Sequence, residues 1–200
     1  MAGKKRGAGL CAAVLLCSGI LFPLQLLAQE KSAEFHCQQG IAWFRSKQWD
    51  KAIAAFNQAL ALDPRHVKSY LGRGVTYVFA KQPERAVPDF NRVLELQPQG
   101  PDTFAAYLNR GLAYRDLGRY DQALADFNRA LILKPDNVLA LFYKASALDL
   151  SGRRAEALTA LKEFVRRCPE KESTRPLLEQ AKGRIKLLEA PAAARKPPGG

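Results

Sequence analysis

The stretch that decides the fold is ALADFNRALILKP at residues 123–135, because the chain contains versions of it four times. Close copies are AIAAFNQALALDP at residues 52–64 and AVPDFNRVLELQP at residues 86–98, and a looser copy, ALTALKEFVRRCP, occupies residues 157–169. The first alanines of successive copies are separated by 34, 37 and 34 residues. A repeat of this period is typical of a solenoid, in which stacked units bury apolar faces that no single unit can bury alone.

Each copy is predicted to be the second helix of a helix-turn-helix pair. Its apolar residues recur at the spacing of one helix face, and a proline such as Pro135 ends the helix. In residues 123–135 that face consists of Ala123, Leu124, Phe127, Ala130 and Leu131. Each pair must dock on its neighbours to bury such a face, which explains why the phrase is repeated.

A second shared segment lies upstream of each copy and predicts the first helix of the pair. It reads QGIAW, RGVTY and RGLAY at residues 39–43, 73–77 and 110–114, and a degenerate copy, KASAL, occupies residues 144–148. The glycine in the first three segments is small, as two antiparallel helices require where their backbones come closest. In the third unit the turn DLGRY places Gly118 where a helix commonly ends in a left-handed residue.

These units resemble tetratricopeptide repeats (TPRs). The pattern of that family is a large residue, a small one four positions on, an aromatic residue three later, and then Ala-x-x-x-Phe and a proline. The third unit has Tyr107, Gly111, Tyr114, Ala123, Phe127 and Pro135. The second unit has Tyr70, Gly74, Tyr77, Ala86, Phe90 and Pro98, and the first has His36, Gly40, Trp43, Ala52, Phe56 and Pro64. The fourth is degenerate, with Leu141, Ala145, Leu148, Ala157, Leu161 and Pro169.

The resemblance implies an all-α fold, an α-solenoid of four TPR helix-turn-helix units followed by a C-terminal capping helix. We place the TPR domain at residues 29–171, with units at about residues 33–66, 67–100, 104–137 and 138–171. One apolar stripe predicts the capping helix at residues 172–189, and it consists of Leu177, Leu178, Ala181, Ile185 and Leu188. Residues 190–200 are small and rich in Pro and Gly, and they are predicted to be a disordered tail.

Two irregularities modify this plan. The 37-residue spacing places three extra residues in the loop QPQGPDT at residues 97–103, where Asp102 or Thr103 is expected to cap the next helix. Pro88 falls about a turn and a half into its helix and deletes one backbone hydrogen bond there. A bend, or a helix that starts later, is therefore expected at Pro88.

Residues 1–28 are predicted to be a secretory signal peptide. A basic start at residues 4–6 is followed by residues 10–28, which carry no charge, and cleavage is expected after Ala28. A composition rich in Ala, Leu, Arg and Gly, without any N-x-[ST] sequon, favours a bacterial periplasm. The alternative is an uncleaved membrane anchor, since an apolar segment of about 17–25 residues can span a bilayer. Pro23 and Gln25 make this segment a poor anchor.

No motif of catalysis or of cofactor binding is found in the sequence. It contains no phosphate loop, no H-E-x-x-H, no C-x-x-C and no dinucleotide fingerprint, so we expect neither an enzyme nor a cofactor or metal site. His36 falls where the TPR family places a large packing residue, and His66, in a link between units, is expected on the surface. Cys37 and Cys168 belong to the first and fourth units, too far apart along a solenoid for a disulfide, and two buried thiols are expected.

The positive charge is expected to be chiefly a solvated surface. The formal charge of +12 becomes +9 without the three leader cations, and residues 144–200 contribute +6 of it through 13 basic and 7 acidic residues. A second interpretation is attraction to acidic partners or anionic lipid near the basic C-terminal end, through Arg153, Arg154, Arg166 and Arg167. No basic stretch is interleaved with aromatic residues, so nucleic acid is not expected as a partner.

The TPR resemblance also implies a concave groove, lined by the first helix of each pair, that holds a segment of another protein. The residues predicted to line this groove are Ile41, Phe44, Leu71, Val75, Val78, Phe79, Leu108, Asn109, Leu112, Phe142 and Tyr143. One TPR subtype clamps a C-terminal carboxylate with Lys, Asn and Arg side chains on this face. That clamp is absent, because its positions hold Cys37, Ile41, Gly72, Ala105 and Asn109.

These observations together predict a non-enzymatic scaffold or adaptor that is exported and binds a peptide or helix of a partner protein in an apolar groove. The alternative is a membrane-tethered assembly factor of the cell envelope. In that case the uncleaved leader and the basic surface would contact the membrane.

Overall fold

The computed structural model describes residues 32–190, and this part of the chain is helical, with short connections and no strand. The predicted leader and all but the first residue of the predicted tail lie outside the described residues. Within them the helices are α1 (Ala33–Arg45), α2 (Trp49–Leu62), α3 (Val67–Phe79), α4 (Pro83–Leu96), α5 (Thr103–Asp116), α6 (Tyr120–Leu133), α7 (Val138–Leu150), α8 (Arg154–Arg167) and α9 (Arg175–Glu189).

Consecutive helices pack as pairs, and the pairs stack. The first unit consists of α1 and α2, the second of α3 and α4, the third of α5 and α6, and the fourth of α7 and α8. The second helix of each unit also packs on the first helix of the next, and α9 packs on α8. The prediction of an all-α solenoid is confirmed.

In the first three units the two helices cross at a glycine that lies against a phenylalanine. Phe127 of α6 is fully buried, and a Cβ atom added to Gly111 of α5 would lie 2.7 Å from its Cε1 atom. The equivalent distances are 2.7 Å for Gly40 and Phe56, and 2.8 Å for Gly74 and Phe90. A glycine is needed here because any side chain would occupy the space that the ring fills.

The fourth unit fills the same crossing with different side chains. Ala145 and Leu161 stand where the third unit has glycine and phenylalanine, and both are buried. A larger residue on the first helix is therefore matched by a smaller one on the second. The aromatic ring reappears one turn further along, where Phe164 is fully buried and packs against Phe142 at 5.2 Å between ring centroids. The degenerate sequence of this unit is a repacked core.

A half-buried arginine joins consecutive units. Arg110 of α5 donates from Nε and Nη2 to the Asp126 carboxylate of α6, at 2.8 Å each, and from Nη1 to Asn91 Oδ1 of α4 at 2.6 Å. The second unit repeats this arrangement with Arg73, Asp89 and Asn57. One guanidinium thus fixes three helices from two units, which sets how each unit sits on the previous one.

The outer units lack this bridge, and both lack its carboxylate. The first unit has Gln39 and Ala55 at the positions of Arg110 and Asp126, and the fourth has Lys144 and Ala160. Burial raises the pKa of the Asp126 carboxyl, against the lowering effect of the hydrogen bonds from Arg110. Such a carboxylate is tolerable in the core only with its arginine, and the aspartate occurs only in the two units that also have the arginine.

Of the local features predicted at helix ends, the left-handed glycine is confirmed and the others are not. Gly118 is left-handed, with φ 71°, as predicted. The later helix start expected at Pro88 is wrong, because α4 begins at Pro83 and contains Pro88. Neither residue expected to cap α5 does so: Asp102 makes no side-chain capping bond, and the Thr103 hydroxyl instead donates to the Gln97 carbonyl at 2.7 Å.

The two cysteines of the described residues are buried, and the two histidines are half-buried. Cys37 and Cys168 are both buried free thiols, as expected. His36 is half-buried and lies 3.2 Å from Gln39 Oε1. His66, expected on the surface, is instead half-buried at the start of α3, where it contacts Ser69 Oγ at 2.8 Å and Glu34 Oε2 at 3.3 Å. It ties α3 to α1.

We expect Gly111→Ala to destabilise the protein by about 1–2 kcal/mol. The overlap with Phe127 costs up to about 3 kcal/mol, and alanine recovers about 1 kcal/mol through its helix propensity. Adding Phe127→Leu reproduces the Ala145–Leu161 pair of the fourth unit and should restore most of the loss. Urea unfolding of both single variants and the double variant measures this coupling. Purely additive losses would show that the two positions do not compete for one space.

We expect Asp126→Ala to cost about 3 kcal/mol, because it leaves the mostly buried guanidinium of Arg110 without its carboxylate. The double variant Asp126→Ala with Arg110→Gln copies the Gln39–Ala55 combination of the first unit and should be clearly more stable than Asp126→Ala alone. Thermal unfolding of the single and double variants measures this difference in stability. A double variant as unstable as the single one would contradict the role given to the charge pair.

Candidate functional site

The first helices of the four units form one continuous surface. Helix α1 contacts α3, α3 contacts α5, and α5 contacts α7, whereas consecutive second helices approach one another less closely. A stack of helix pairs curves toward the side on which neighbouring units lie closest. The first helices therefore line the concave surface, which is where solenoid proteins bind extended partners.

Most residues predicted to line the groove form a half-buried aliphatic row on these helices. The row consists of Ile41, Leu71, Val75, Val78, Leu108 and Leu112. These side chains pack against the buried clusters of the units, and each keeps part of its surface exposed. Asn109 is half-buried among them, and its Nδ2 atom donates to the Ala105 carbonyl of its own helix at 2.8 Å.

The two fourth-unit aromatic residues predicted to line the groove are more buried than Phe79. Phe142 is 8% exposed and packs on Phe164, so it belongs to the core. The half-buried ring of Tyr143 stacks on Phe127 with 6.2 Å between ring centroids, and the Arg115 guanidinium lies 5.6 Å from the Tyr143 ring. Phe142 therefore fills the core of the fourth unit, and Tyr143 lies in the interface between the third and fourth units.

The first two units carry an aromatic cluster that remains accessible. Phe44 and Phe79 meet edge to face with 5.3 Å between centroids, and Trp49 lies 5.3 Å from Phe44 and 5.9 Å from Phe79. The Phe79 side chain is 56% exposed, while the other two rings are half-buried. We call these three residues the aromatic cluster. The family resemblance predicts groove residues only on the first helices, and Trp49 was missed because it begins a second helix.

A depression of about 430 Å³ adjoins the aromatic cluster at the turns of the first two units. It is lined by Lys47, Gln48, Trp49, Asp50, Lys51, Ala80 and Gln82. Lys81 lies between the last two of these in sequence, and the Lys51 ammonium lies over the Trp43 ring, 4.6 Å from its centroid. The depression therefore combines aromatic surface with several cations.

The turn residues beside this depression have unusual backbone conformations. Lys47 and Lys81 are left-handed, with φ 56° and 60°. The matching residues in the third and fourth units are Gly118 and Gly152, with φ 71° and 76°. A left-handed conformation costs a residue with a side chain about 1–2 kcal/mol, whereas glycine adopts it freely.

At the other end of the concave surface an ion pair spans α7 and α9. Arg184 Nη2 donates to Asp149 Oδ1 at 2.8 Å, beside an open cavity of about 310 Å³. Apolar residues of this cavity include Phe142, Ala145 and Leu187. The charges here neutralise one another, unlike those at the depression of the first two units.

A chain of hydrogen bonds that resembles a hydrolase triad has a structural role. His66 lies within hydrogen-bonding distance of Ser69 Oγ and Glu34 Oε2. A serine nucleophile must be reachable by its substrate, and Ser69 is completely buried. These three residues therefore hold the start of α3 against α1.

Comparison with known families agrees with the repeat architecture. Models described as "Tetratricopeptide repeat" match residues 38–106, 104–137 and 139–171, which together make up more than half of the chain. The chain is a tetratricopeptide repeat protein. No curated protein sequence gave a significant match. TPR proteins generally act as scaffolds for protein interaction, and the repeats of this chain support that role.

Solved TPR structures share its fold. A TPR domain of Arabidopsis OM64 is 29% identical with a TM-score of 0.55, over 57% of this chain and 93% of that one. PilW, described as a type IV pilus biogenesis factor, is 22% identical with a TM-score of 0.70, over 82% of this chain and 76% of that one. A TPR protein from Parabacteroides merdae is 20% identical with a TM-score of 0.64, over 84% and 63%.

Proposed function

We propose that this TPR protein is an exported, non-enzymatic scaffold that holds a segment of another protein in the apolar groove on its concave surface. The observation that carries the proposal is the aromatic cluster with its exposed Phe79 ring. Single exposed apolar residues are ordinary on protein surfaces. Here the exposed ring is continuous with two further aromatic rings and with the half-buried aliphatic row, and contiguous apolar surface of this kind marks interaction sites.

The groove provides both an anchor point and a track. Phe44 and Trp49 hold the Phe79 ring at its base and leave its outer part to a partner. A partner side chain that covers the exposed part removes apolar surface from water, and well-packed aromatic anchors of this type contribute about 2 kcal/mol or more. From Phe79 the aliphatic row continues along α3 and α5 and can bind the rest of an extended segment or one face of a helix.

Export rests on the predicted leader at residues 1–28, which lies outside the described residues. No helix between residues 32 and 190 is long and apolar enough to cross a bilayer. The membrane-tethered alternative uses an uncleaved leader together with the basic surface, so cleavage of the leader distinguishes the two.

We expect Phe79→Ser to weaken partner binding while the melting temperature stays nearly unchanged, because more than half of this side chain already contacts water. Peptides selected by phage display against the full chain serve as probes, with affinities measured by calorimetry. The loss should be about thirtyfold, which corresponds to about 2 kcal/mol. The matched control is Ile132→Ser, since Ile132 is 69% exposed on α6, a second helix outside the groove. It should bind all selected peptides normally.

Selected peptides that bind Phe79→Ser as tightly as the unchanged protein would contradict the groove proposal. Loss of binding in Ile132→Ser together with retention in Phe79→Ser would move the site to the outer surface of the solenoid.

We expect the exported protein to begin at Gln29, because the predicted cleavage follows Ala28. Mass spectrometry of the N-terminal peptide, in soluble and membrane fractions of the producing cell, tests this. A membrane-bound species that begins at Met1 or Ala2 would instead support the tethered assembly factor.

A further inference from the structure

The turns between first and second helices are built alike in all four units. In the first unit the Lys47 amide donates to the Phe44 carbonyl at 2.9 Å, and in the third the Gly118 amide donates to the Arg115 carbonyl at 3.0 Å. The amide of the next residue donates to the carbonyl five residues before it in every turn, as the Gln82 amide does to the Tyr77 carbonyl at 2.8 Å. Glycine therefore suits this position, yet the first two turns hold a strained lysine.

The strained lysines occur where the aromatic cluster lies. Lys47 lines the depression beside Trp49, and Lys81 follows Phe79 by two residues. In the glycine turns, the residues at the position of Phe79 are Asp116 and Leu150, and neither unit has an exposed aromatic ring there. Strained conformations tend to persist at functional sites. A function of the Lys47 and Lys81 side chains would explain why glycine does not occupy these turns.

The charge around the aromatic cluster is unbalanced. Among residues 32–190, no carboxylate lies within ion-pair distance of Lys47, Lys51 or Lys81. Asp50 also lines the depression and offsets part of this charge. Arg45, next to Phe44, adds a further cation, whereas Glu84 and Arg85 at the start of α4 cancel each other. By contrast, Arg115 and Arg184 on the concave side of later units are both paired with carboxylates.

We propose that this end of the groove recognises an acidic segment of the partner protein. An aromatic or large aliphatic side chain of the segment packs on Phe79, and flanking carboxylates pair with Lys47 and Lys81. This inference rests on the proposed function and specifies the chemistry of the partner at one end of the groove. A protein segment fits better than a membrane surface, because the cations border a depression that a narrow chain can enter and a flat bilayer cannot.

The test uses a ten-residue synthetic peptide of aspartate and glutamate with one central phenylalanine. A control peptide carries asparagine and glutamine in place of the acids. The full chain is compared with the double variant Lys47→Gly and Lys81→Gly, which removes both charges and also relieves both left-handed lysines. A charge-matched control is Lys171→Gln with Lys186→Gln, because both lysines are exposed and lie near the other end of the chain.

The double glycine variant should bind the acidic peptide about tenfold more weakly, as expected for the loss of two surface ion pairs. Its melting temperature should rise, so the lost binding cannot be attributed to unfolding. The charge-matched control should bind normally, and the amide peptide should bind the unchanged chain poorly. Raising the salt concentration should weaken binding to the unchanged chain more than binding to the glycine variant.

Three results would overturn this inference: equal binding of acidic and amide peptides, unchanged affinity in the glycine variant, or stronger binding to phosphatidylserine vesicles than to the acidic peptide. If Phe79→Ser weakens the phage-selected peptides while the lysine variant does not, the groove proposal stands and only the acidic partner is wrong. If Phe79→Ser changes nothing, both proposals fail.

Discussion

The contact between a glycine of the first helix and a phenylalanine of the second is the constraint on which the rest of the structure depends. Gly111 has no side chain, so α5 can lie directly on the ring of Phe127. The two helices of a pair therefore pack closely. When the pairs stack, the first helices come together into one concave surface. The fourth unit satisfies the same constraint with Ala145 and Leu161, which shows that the filled volume matters more than the identity of either residue.

The four units share this helix crossing but differ in the contacts that their other side chains make. The second and third are joined to the units before them by Arg73 and Arg110, whose guanidinium groups each bind an aspartate and an asparagine. The first two units present aromatic rings and unpaired lysines at their turns, whereas the fourth packs its aromatic residues inward and continues onto α9. Binding is therefore proposed at the N-terminal half, and the C-terminal half extends and closes the core.

The repeat pattern was sufficient to predict the helices, their pairing and the buried positions such as Phe127, because these follow from periodicity and from the volume available at each crossing. It could not separate Phe79 from Tyr143. Both residues lie on first helices, but Tyr143 is half-buried beneath Phe127 and Arg115, whereas Phe79 stays mostly exposed beside Phe44 and Trp49. Exposure of a residue on a helix face depends on the neighbouring unit, which a pattern within one helix does not describe.

The most direct test of the account is the fluorescence of Trp49, because both tryptophans of the chain, Trp43 and Trp49, lie at the proposed site. In a Trp43→Phe variant the emission reports on Trp49 alone, and a peptide without tryptophan or tyrosine adds no signal of its own. Titration with the acidic phenylalanine peptide should change this emission saturably, with the midpoint found by calorimetry, and should shield Trp49 from quenching by acrylamide. Binding that is measured by calorimetry while the emission and quenching of Trp49 stay unchanged would contradict the site.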